Sequence, residues 1–334
     1  MVNVGIIGLG PVWESRYRPA LGRLRGRISV RAVYDPVAER AAQAAADLRV
    51  PAFAGVVALG ERAACDAFLL LDTGWAGIET LRLVARCRKP IYLSGSLGSN
   101  PARIRALHAQ VRSEGLTLMP EFSRRYTPAT SRLHELMATK LGRPRRIVVD
   151  AVAPRADDPC LVPGQGPGID FLTGLFDWCR YVVRTRPLRL LPGLPAEGAG
   201  GAENHSLRLE FARPRAGGEG CLVELRLRGA PRGEAPESAL VQHVLCERGE
   251  ARLLGSDEIV WRGDESERHE SLAAERSEVE VMLDHFCRRV VGGLVPIPDV
   301  EDVCRAVEIA CAVEECLREG REVPLSADGR AKES

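Results

Sequence analysis

The chain has 334 residues, 46 of them basic and 45 acidic, for a formal net charge of +1. That length suits two domains rather than one core, and a hydrophobic content of 45% is enough to bury both. The near-cancelled charge leaves no global field to draw the protein to nucleic acid or to an anionic membrane.

Further classes are excluded by residue usage. Lysine occurs only at Lys89, Lys140 and Lys332, so chemistry that needs an amine has three candidates. The ten cysteines are scattered and form no C-x-x-C pair, so we expect reduced core residues rather than a disulfide framework. No two histidines have metal-ligand spacing, and no metal site is expected. Residues 1–7 have neither the basic start nor the apolar run of a signal peptide. No stretch approaches the roughly 20 apolar residues of a spanning helix. The expectation is a soluble, cytoplasmic protein with a small-molecule substrate.

In chain order, Val2 to Ile7 is a short apolar run broken by Gly8-Leu9-Gly10, and a helical pattern runs from Trp13 to Leu21. A second strand, Ser29 to Tyr34, ends at Asp35, and a helix follows from Val37 to Leu48. Strand Ala67 to Leu71, helix Gly77 to Cys87, strand Pro90 to Leu93, helix Pro101 to Glu114 and strand Leu116 to Met119 continue the alternation. Strands alternating with helices of about a dozen residues indicate βαβ units and a parallel sheet. After about residue 120 a helix at Thr130 to Thr139 leads into a strand, Arg146 to Ala153. Asp157 to Gly168 reads as a loop, and a helix runs from Asp170 to Val183. The period then switches to two, with Leu207, Leu209 and Phe211 alternating with Arg208 and Glu210, and Cys221, Val223, Leu225 and Leu227 alternating with Leu222, Glu224, Arg226 and Arg228. One packed and one polar face suits an antiparallel sheet. Gly193 to Gly201 reads as a surface loop, and helices return at Glu278 to Val291 and Val300 to Glu319. The fold class expected is therefore α/β plus α+β: a Rossmann-type domain over 1–120 and a domain with a large, mostly antiparallel open sheet flanked by helices over 121–325. A disordered tail over 326–334 completes the chain.

Gly8-Leu9-Gly10 stands between the first strand and the first helix. Glycines there let the backbone turn tightly and approach a pyrophosphate, whose charge meets the N–H groups of the helix N-terminus. Pro11, Val12 and Trp13 complete that turn, with Trp13 where the third glycine of the usual fingerprint would stand. Asp35 ends the second strand, where a carboxylate can accept from ribose hydroxyls and repel a 2′-phosphate, favouring NAD over NADP. The alternative reading is a turn glycine pair and an N-capping aspartate, since Asp35-Pro36 also opens a helix. Leu71 and Trp75 after the third strand, and Ser94 and Gly95 after the fourth, complete the expected cofactor site.

The sequence resembles the Gfo/Idh/MocA oxidoreductases over nearly its whole length. Gly5-Ile-Ile-Gly8-Leu-Gly10 with Arg18-Pro19-Ala20-Leu21 resembles the family's opening. Glu121-Phe-Ser-Arg124-Arg125-Tyr126-Thr-Pro128-Ala129 resembles its R-[FY]-x-P segment, and Asp170 to Tyr181 resembles its D-x-G-x-H-x-x-D-x-x-R-[WF] helix. The resemblance implies an NAD-dependent oxidoreductase acting on a sugar, polyol or related small molecule. It also implies a homodimer or homotetramer formed through the C-terminal sheet. The departures fall on the chemistry: the lysine of the family's E-K-P triplet is Gly95, and the histidine of its helix is Gly174. The P-N-x-x-H segment has become Thr73-Gly74-Trp75-Ala76-Gly77. Oxidising a carbinol needs a base near the hydroxyl, which glycine cannot supply. The remaining candidates for proton transfer are Asp170, with an N-capping alternative, and Tyr126, with a packing alternative. Two readings stand: an oxidoreductase with an atypical active site, and a non-catalytic NAD-binding pseudoenzyme acting as sensor, scaffold or partner.

Overall fold

A computed structural model describes residues 1–73, 77–153, 168–193, 205–215, 217–229, 240–264 and 266–325. Trp75, the segments expected as loops at 157–167 and 194–201, and the tail 326–334 lie outside the described residues. The chain divides into two units, one of residues 1–123 with 277–303, the other of residues 124–276 with 304–334.

In the first unit, strands β1 (Val2–Ile7), β2 (Ile28–Tyr34), β3 (Ala67–Leu70), β4 (Ile91–Leu93) and β5 (Leu118–Pro120) form a parallel sheet in the order β2-β1-β3-β4-β5. The helices α1 (Arg18–Arg23), α2 (Ala38–Leu48), α3 (Val56–Arg62), α4 (Ile78–Ala85) and α5 (Pro101–Ser113) lie between the strands in sequence. β3 and β4 are buried at every residue, as strands of a sheet covered on both faces must be. The order reverses direction between β1 and β3, which makes the space beyond their carboxyl ends the topological switch point where such sheets bind ligands.

Two local features depart from the sequence reading. The first helix opens with a π-helical turn, Trp13–Tyr17, in which Arg18 N–H bonds to Trp13 O. Pro19 has no N–H to donate to Ser15, so the hydrogen-bond ladder slips by one residue before α1 begins. The second concerns α8 (Glu278–Val290), which the division at residue 120 left with the C-terminal domain and which groups with the first unit. Its buried face explains this: Phe286 packs edge-on against Tyr92 at 5.8 Å, Tyr92 reaches Met282 Sδ at 3.7 Å, and Arg27 pairs with Asp284 at 2.9 Å.

In the second unit, α6 (Pro128–Leu136) is capped by Thr127, and a π-helical turn (Met137–Leu141) leads into β6 (Pro144–Ala153). Then come α7 (Gly168–Val183), β7 (Pro187–Pro192), β8 (His205–Phe211), β9 (Leu222–Gly229), β10 (Val241–Cys246), β11 (Gly249–Leu254), β12 (Glu258–Arg262) and β13 (Arg268–Ser271), with α9 (Val300–Glu319) and β14 (Val323–Pro324) closing the chain. The nine strands form one sheet in the order β13-β12-β11-β10-β6-β9-β8-β7-β14. Only β6 and β9 pair in parallel, so the sheet is mostly antiparallel, as the period-two patterns require. Its inner face carries Ile147, Val149, Leu207, Leu209, Val223, Leu225, Val244 and Leu253, packed with Leu175, Phe176 and Trp178 of α7. Trp178 is fully buried, and its Nε1–H donates to Thr130 Oγ1 at 3.0 Å, so its one polar atom is satisfied. The outer face mixes charged side chains such as Arg146, Asp150, Glu224 and Arg226 with apolar ones such as Val148, Leu245 and Val260.

Candidate functional site

The turn after β1 has the backbone that a dinucleotide requires. Gly8 adopts φ +91°, and a Cβ there would lie 2.5 Å from Asp72 N, so only glycine fits. Gly8 N–H donates to Tyr34 O at 2.9 Å, which ties the turn to β2. Pro11 and Val12 are exposed at the start of the helix, where backbone donors can meet an anion. Trp13 is 2% exposed and its indole nitrogen has no partner among the described residues; it packs inside the unit beneath the turn. Leu71 is buried, and Ser94 and Gly95 are half-buried.

Asp35 has two structural duties. Its Oδ2 accepts from Leu9 N–H at 2.6 Å and its Oδ1 from Val37 N–H at 2.8 Å, so it ties the glycine turn to the segment leading into α2. Asp35 is not the N-cap of α2, which is Val37 without a side-chain cap, but each carboxylate oxygen keeps a second lone pair that a further donor can use. The residues of the turn fit a dinucleotide in backbone shape. They fit less well in charge: the exposed Asp72 carboxylate sits over the turn, its Oδ2 3.4 Å from where a Cβ at Gly10 would stand. No glycine pattern signals Asp72, since its nearness follows only from pairing β3 beside β1.

A buried polar network lies under the strand ends of the same unit. Tyr17 OH donates to Glu121 Oε2 at 2.5 Å and shares a 3.0 Å hydrogen bond with Tyr92 OH. Arg16 bridges Glu121 at 2.8 Å and Glu278 at 3.2 Å. Burial first, and then the Glu121 charge, push both phenols well above the ordinary tyrosine range, so both stay protonated. They are hydrogen-bond donors, not bases. Glu121 is legible in the sequence only as an unusual acid after β5; its phenol partners come from a π-turn and the centre of a strand.

Of the two positions where the family's lysine and histidine would stand, the first is closed by Thr73 and the second is occupied by the end of the Arg124 side chain. A Cβ at Gly95 would meet Thr73 Cγ2 at 2.9 Å, and one at Gly174 would meet Arg124 Nη1 at 2.6 Å. Around Gly174, within the second unit, Arg124 lies over the Phe171 ring at 5.4 Å. Arg125 grips the buried Asp177 through both carboxylate oxygens, at 2.7 and 2.5 Å, and rests over Tyr181 at 5.1 Å. Asp177 therefore fixes the start of this unit to α7. Asp170 is exposed in the first turn of α7, and Tyr126 is half-buried at the end of a 3-10 turn (Ser123–Tyr126). Among the described residues no cluster of histidine, cysteine, aspartate and glutamate is placed to hold a metal ion.

No protein-family model matches the sequence, and no curated protein is significantly similar to it. Solved structures do match. A putative myo-inositol dehydrogenase from Sinorhizobium meliloti has a TM-score of 0.75 at 18% identity, over 98% of this chain and 100% of that one. An NAD-binding oxidoreductase from Klebsiella pneumoniae has 0.78 at 14% identity, over 98% and 100%. The WlbA dehydrogenase from Bordetella pertussis, solved with NADH and UDP-GlcNAcA, has 0.75 at 14%, over 98% and 99%. These are Gfo/Idh/MocA-type dehydrogenases, and this chain has their fold. Among the described residues no helix is long and apolar enough to cross a membrane.

Proposed function

We propose that the chain is an oxidoreductase that binds a nicotinamide dinucleotide at the β1 turn, NAD in preference to NADP, and acts on a sugar, polyol or related small molecule. The observation that carries this reading is the left-handed Gly8 at the β1/β3 switch point, tied through Leu9 to Asp35 at the end of β2. Gly8, Gly10, Pro11 and Val12 would cradle the pyrophosphate, and Asp35 would accept from the ribose. Leu71, Ser94 and Gly95 would flank the rest of the cofactor, with Trp75 beside them. The bound nicotinamide supplies hydride chemistry. What the chain must add is a place for the hydroxyl proton: with glycine at the lysine and histidine positions, Asp170 and Tyr126 are the groups that would transfer it. The similar dehydrogenases support the reaction class, and the expected assembly is a homodimer or homotetramer through the nine-stranded sheet.

One observation favours a second reading. Thr73 crowds the space a side chain at Gly95 would need, and the tip of Arg124 lies where one at Gly174 would start. A protein that binds NAD without turning it over, as sensor, scaffold or partner, has the same β1 turn. Titration with NADH and NADPH separates the outcomes, with Asp35→Asn and Gly10→Trp beside the wild type. Tight NADH binding that Gly10→Trp abolishes, with the preference over NADPH relaxed about tenfold by Asp35→Asn, supports the cofactor site. Turnover of a polyol or keto-sugar that Asp170→Asn removes supports the enzyme. NADH binding with no turnover on such a panel supports the second reading, and no binding of either nucleotide at millimolar concentration ends both.

A further inference from the structure

A concentration of positive charge lies away from the β1 turn, wholly within the second unit. Three Arg-x-Arg stretches, Arg143-Pro-Arg145, Arg184-Thr-Arg186 and Arg213-Pro-Arg215, are far apart in sequence and converge at one end of the sheet. They come from the segment before β6, the end of α7 and the loop after β8, and they meet Arg248 of the β10–β11 hairpin. All of these arginines but Arg145 line a cavity of about 1020 Å³, within reach of the size of small-molecule pockets. Six arginines face it, against two glutamates, Glu219 and Glu247. Both glutamates are engaged by Arg145, at 3.2 and 3.3 Å. Among the described residues, Arg184, Arg186, Arg213, Arg215 and Arg248 pair with no carboxylate. The negative end of α7 accounts for a cation at Arg184, but its field fades within the last turn and does not account for five.

Two further polar groups of the wall lack partners among the described residues. Arg184 Nη2 stands 3.0 Å from His134 Nδ1, and a guanidinium can only donate, so Nδ1 accepts and the ring proton is on Nε2. That Nε2–H is buried with no partner among the described residues, and so is Thr185 Oγ1. Burial first, and then Arg184, hold the His134 imidazole down to about 4, so it is neutral at physiological pH and donates through this one N–H. Arg184 is itself in the left-handed region, at φ 61°, an uncommon conformation for arginine that turns the chain from α7 toward β7. Met137, Val182 and Cys221 give the cavity an apolar side.

We propose that this cavity is a binding site for a multiply phosphorylated small molecule, separate from the site proposed for oxidoreduction. Planar guanidinium groups recognise phosphate oxygens in pairs, and a cluster of them with few carboxylates matches a ligand carrying more than one negative charge. The separation follows from α7 itself: Asp170 and Val182 are twelve residues apart, roughly 18 Å along a helix. Occupation of this end therefore acts on the proposed substrate groups only through the helix, as an effector would.

The test is calorimetric titration of the full chain at low salt with inorganic pyrophosphate, a probe without base or sugar. The expected result is binding in about the 10 μM range that weakens at least about tenfold in R213E/R215E. Those two side chains are exposed and unpaired, so the variant is expected to fold, and circular dichroism checks that it does. Binding is expected to be unchanged in Arg49→Glu, an exposed arginine of the first unit, and in Gly10→Trp, which blocks the pyrophosphate cradle proposed at the β1 turn and so keeps this result independent of the dinucleotide reading. The proposal is overturned if folded wild type gives no signal at millimolar pyrophosphate, or if R213E/R215E binds as well as wild type. It is overturned equally if Arg49→Glu loses as much as the double variant, or if only an RNA homopolymer binds, because the cluster then acts as a diffuse charged surface.

Discussion

At the scale of single residues, Asp72 sets the strength of the β1 turn. A carboxylate beside Gly10 opposes any anion brought to the glycine backbone, by about 1 kcal/mol for partly screened charges a few ångströms apart. Asp72→Asn keeps the side-chain shape and removes the charge, so NADH binding is expected to tighten roughly fivefold, measured by the same titration as the wild type. An unchanged affinity means that no pyrophosphate approaches Gly10. His134 gives a prediction of a different kind. Its folded pKa, about 4, lies below its ordinary value of 6.5. The unfolded chain therefore takes up a proton first as pH falls. The neutral ring contributes stability fully above pH 6.5, and that contribution is lost progressively between 6.5 and about 4. His134→Gln keeps an acceptor for Arg184 and does not titrate. Urea denaturation is expected to show wild type losing up to about 3 kcal/mol relative to the variant over that window. Parallel losses in the two proteins would mean that the ring is solvated.

At the scale of elements, α7 organises the second unit through one buried ion pair. Asp177 is 1% exposed and Arg125 11%, the two share two hydrogen bonds, and Arg180 approaches the same carboxylate at 4.0 Å. Removing one partner strands the other: Asp177→Ala is expected to cost about 3–5 kcal/mol in thermal or urea denaturation, whereas R125M/D177L is expected to recover most of that loss. If the double variant is as unstable as the single, the guanidinium has a further duty that an apolar pair cannot replace. That Asp177 pairs with an arginine was readable in the sequence, because an acid two turns into an apolar helix must meet a cation to be buried, but whether Arg125 or Arg180 supplies it was not. The alternation of β1 to β5 with helices was equally readable, since strands buried on both faces are continuous apolar runs. The β10, β11 and β12 strands were not picked out individually: their outward positions include Val241, Leu245 and Val260, which blur the period of two. The membership of α8 in the first unit was hidden for another reason. An amphipathic helix specifies that it has a partner face, and only the fold specifies that Tyr92 and Arg27 supply it. The candidate site divides the same way. Gly8 and Asp35 carry their chemistry in local spacing, while Asp72 over Gly10 and Arg124 over Gly174 exist only through neighbouring elements.

At the scale of the whole molecule, the outer face of the nine-stranded sheet bears on assembly. Arg146 pairs with Glu224 at 2.8 Å, Arg226 approaches Asp150 at 3.7 Å, and Glu250 accepts from His243 and Arg262, each at 2.7 Å. These cross-strand pairs leave a face of alternating sign interrupted by apolar side chains such as Leu245 and Val260. Monomers held by an apolar patch would associate more tightly as salt rises, because burial dominates. A face of alternating sign behaves in the opposite way. Related to itself by a two-fold axis, it can set arginine rows of one copy against glutamate rows of the other, and such contacts weaken as the screening length shrinks below about 10 Å. The proposed dimer through this sheet is therefore expected to sediment as a dimer at low salt and to dissociate progressively as salt is added. R146E/R226E should behave as a monomer under both conditions while keeping wild-type circular dichroism. A dimer that survives high salt in that variant lies on another surface, and a wild type monomeric at every concentration removes the sheet from the assembly altogether.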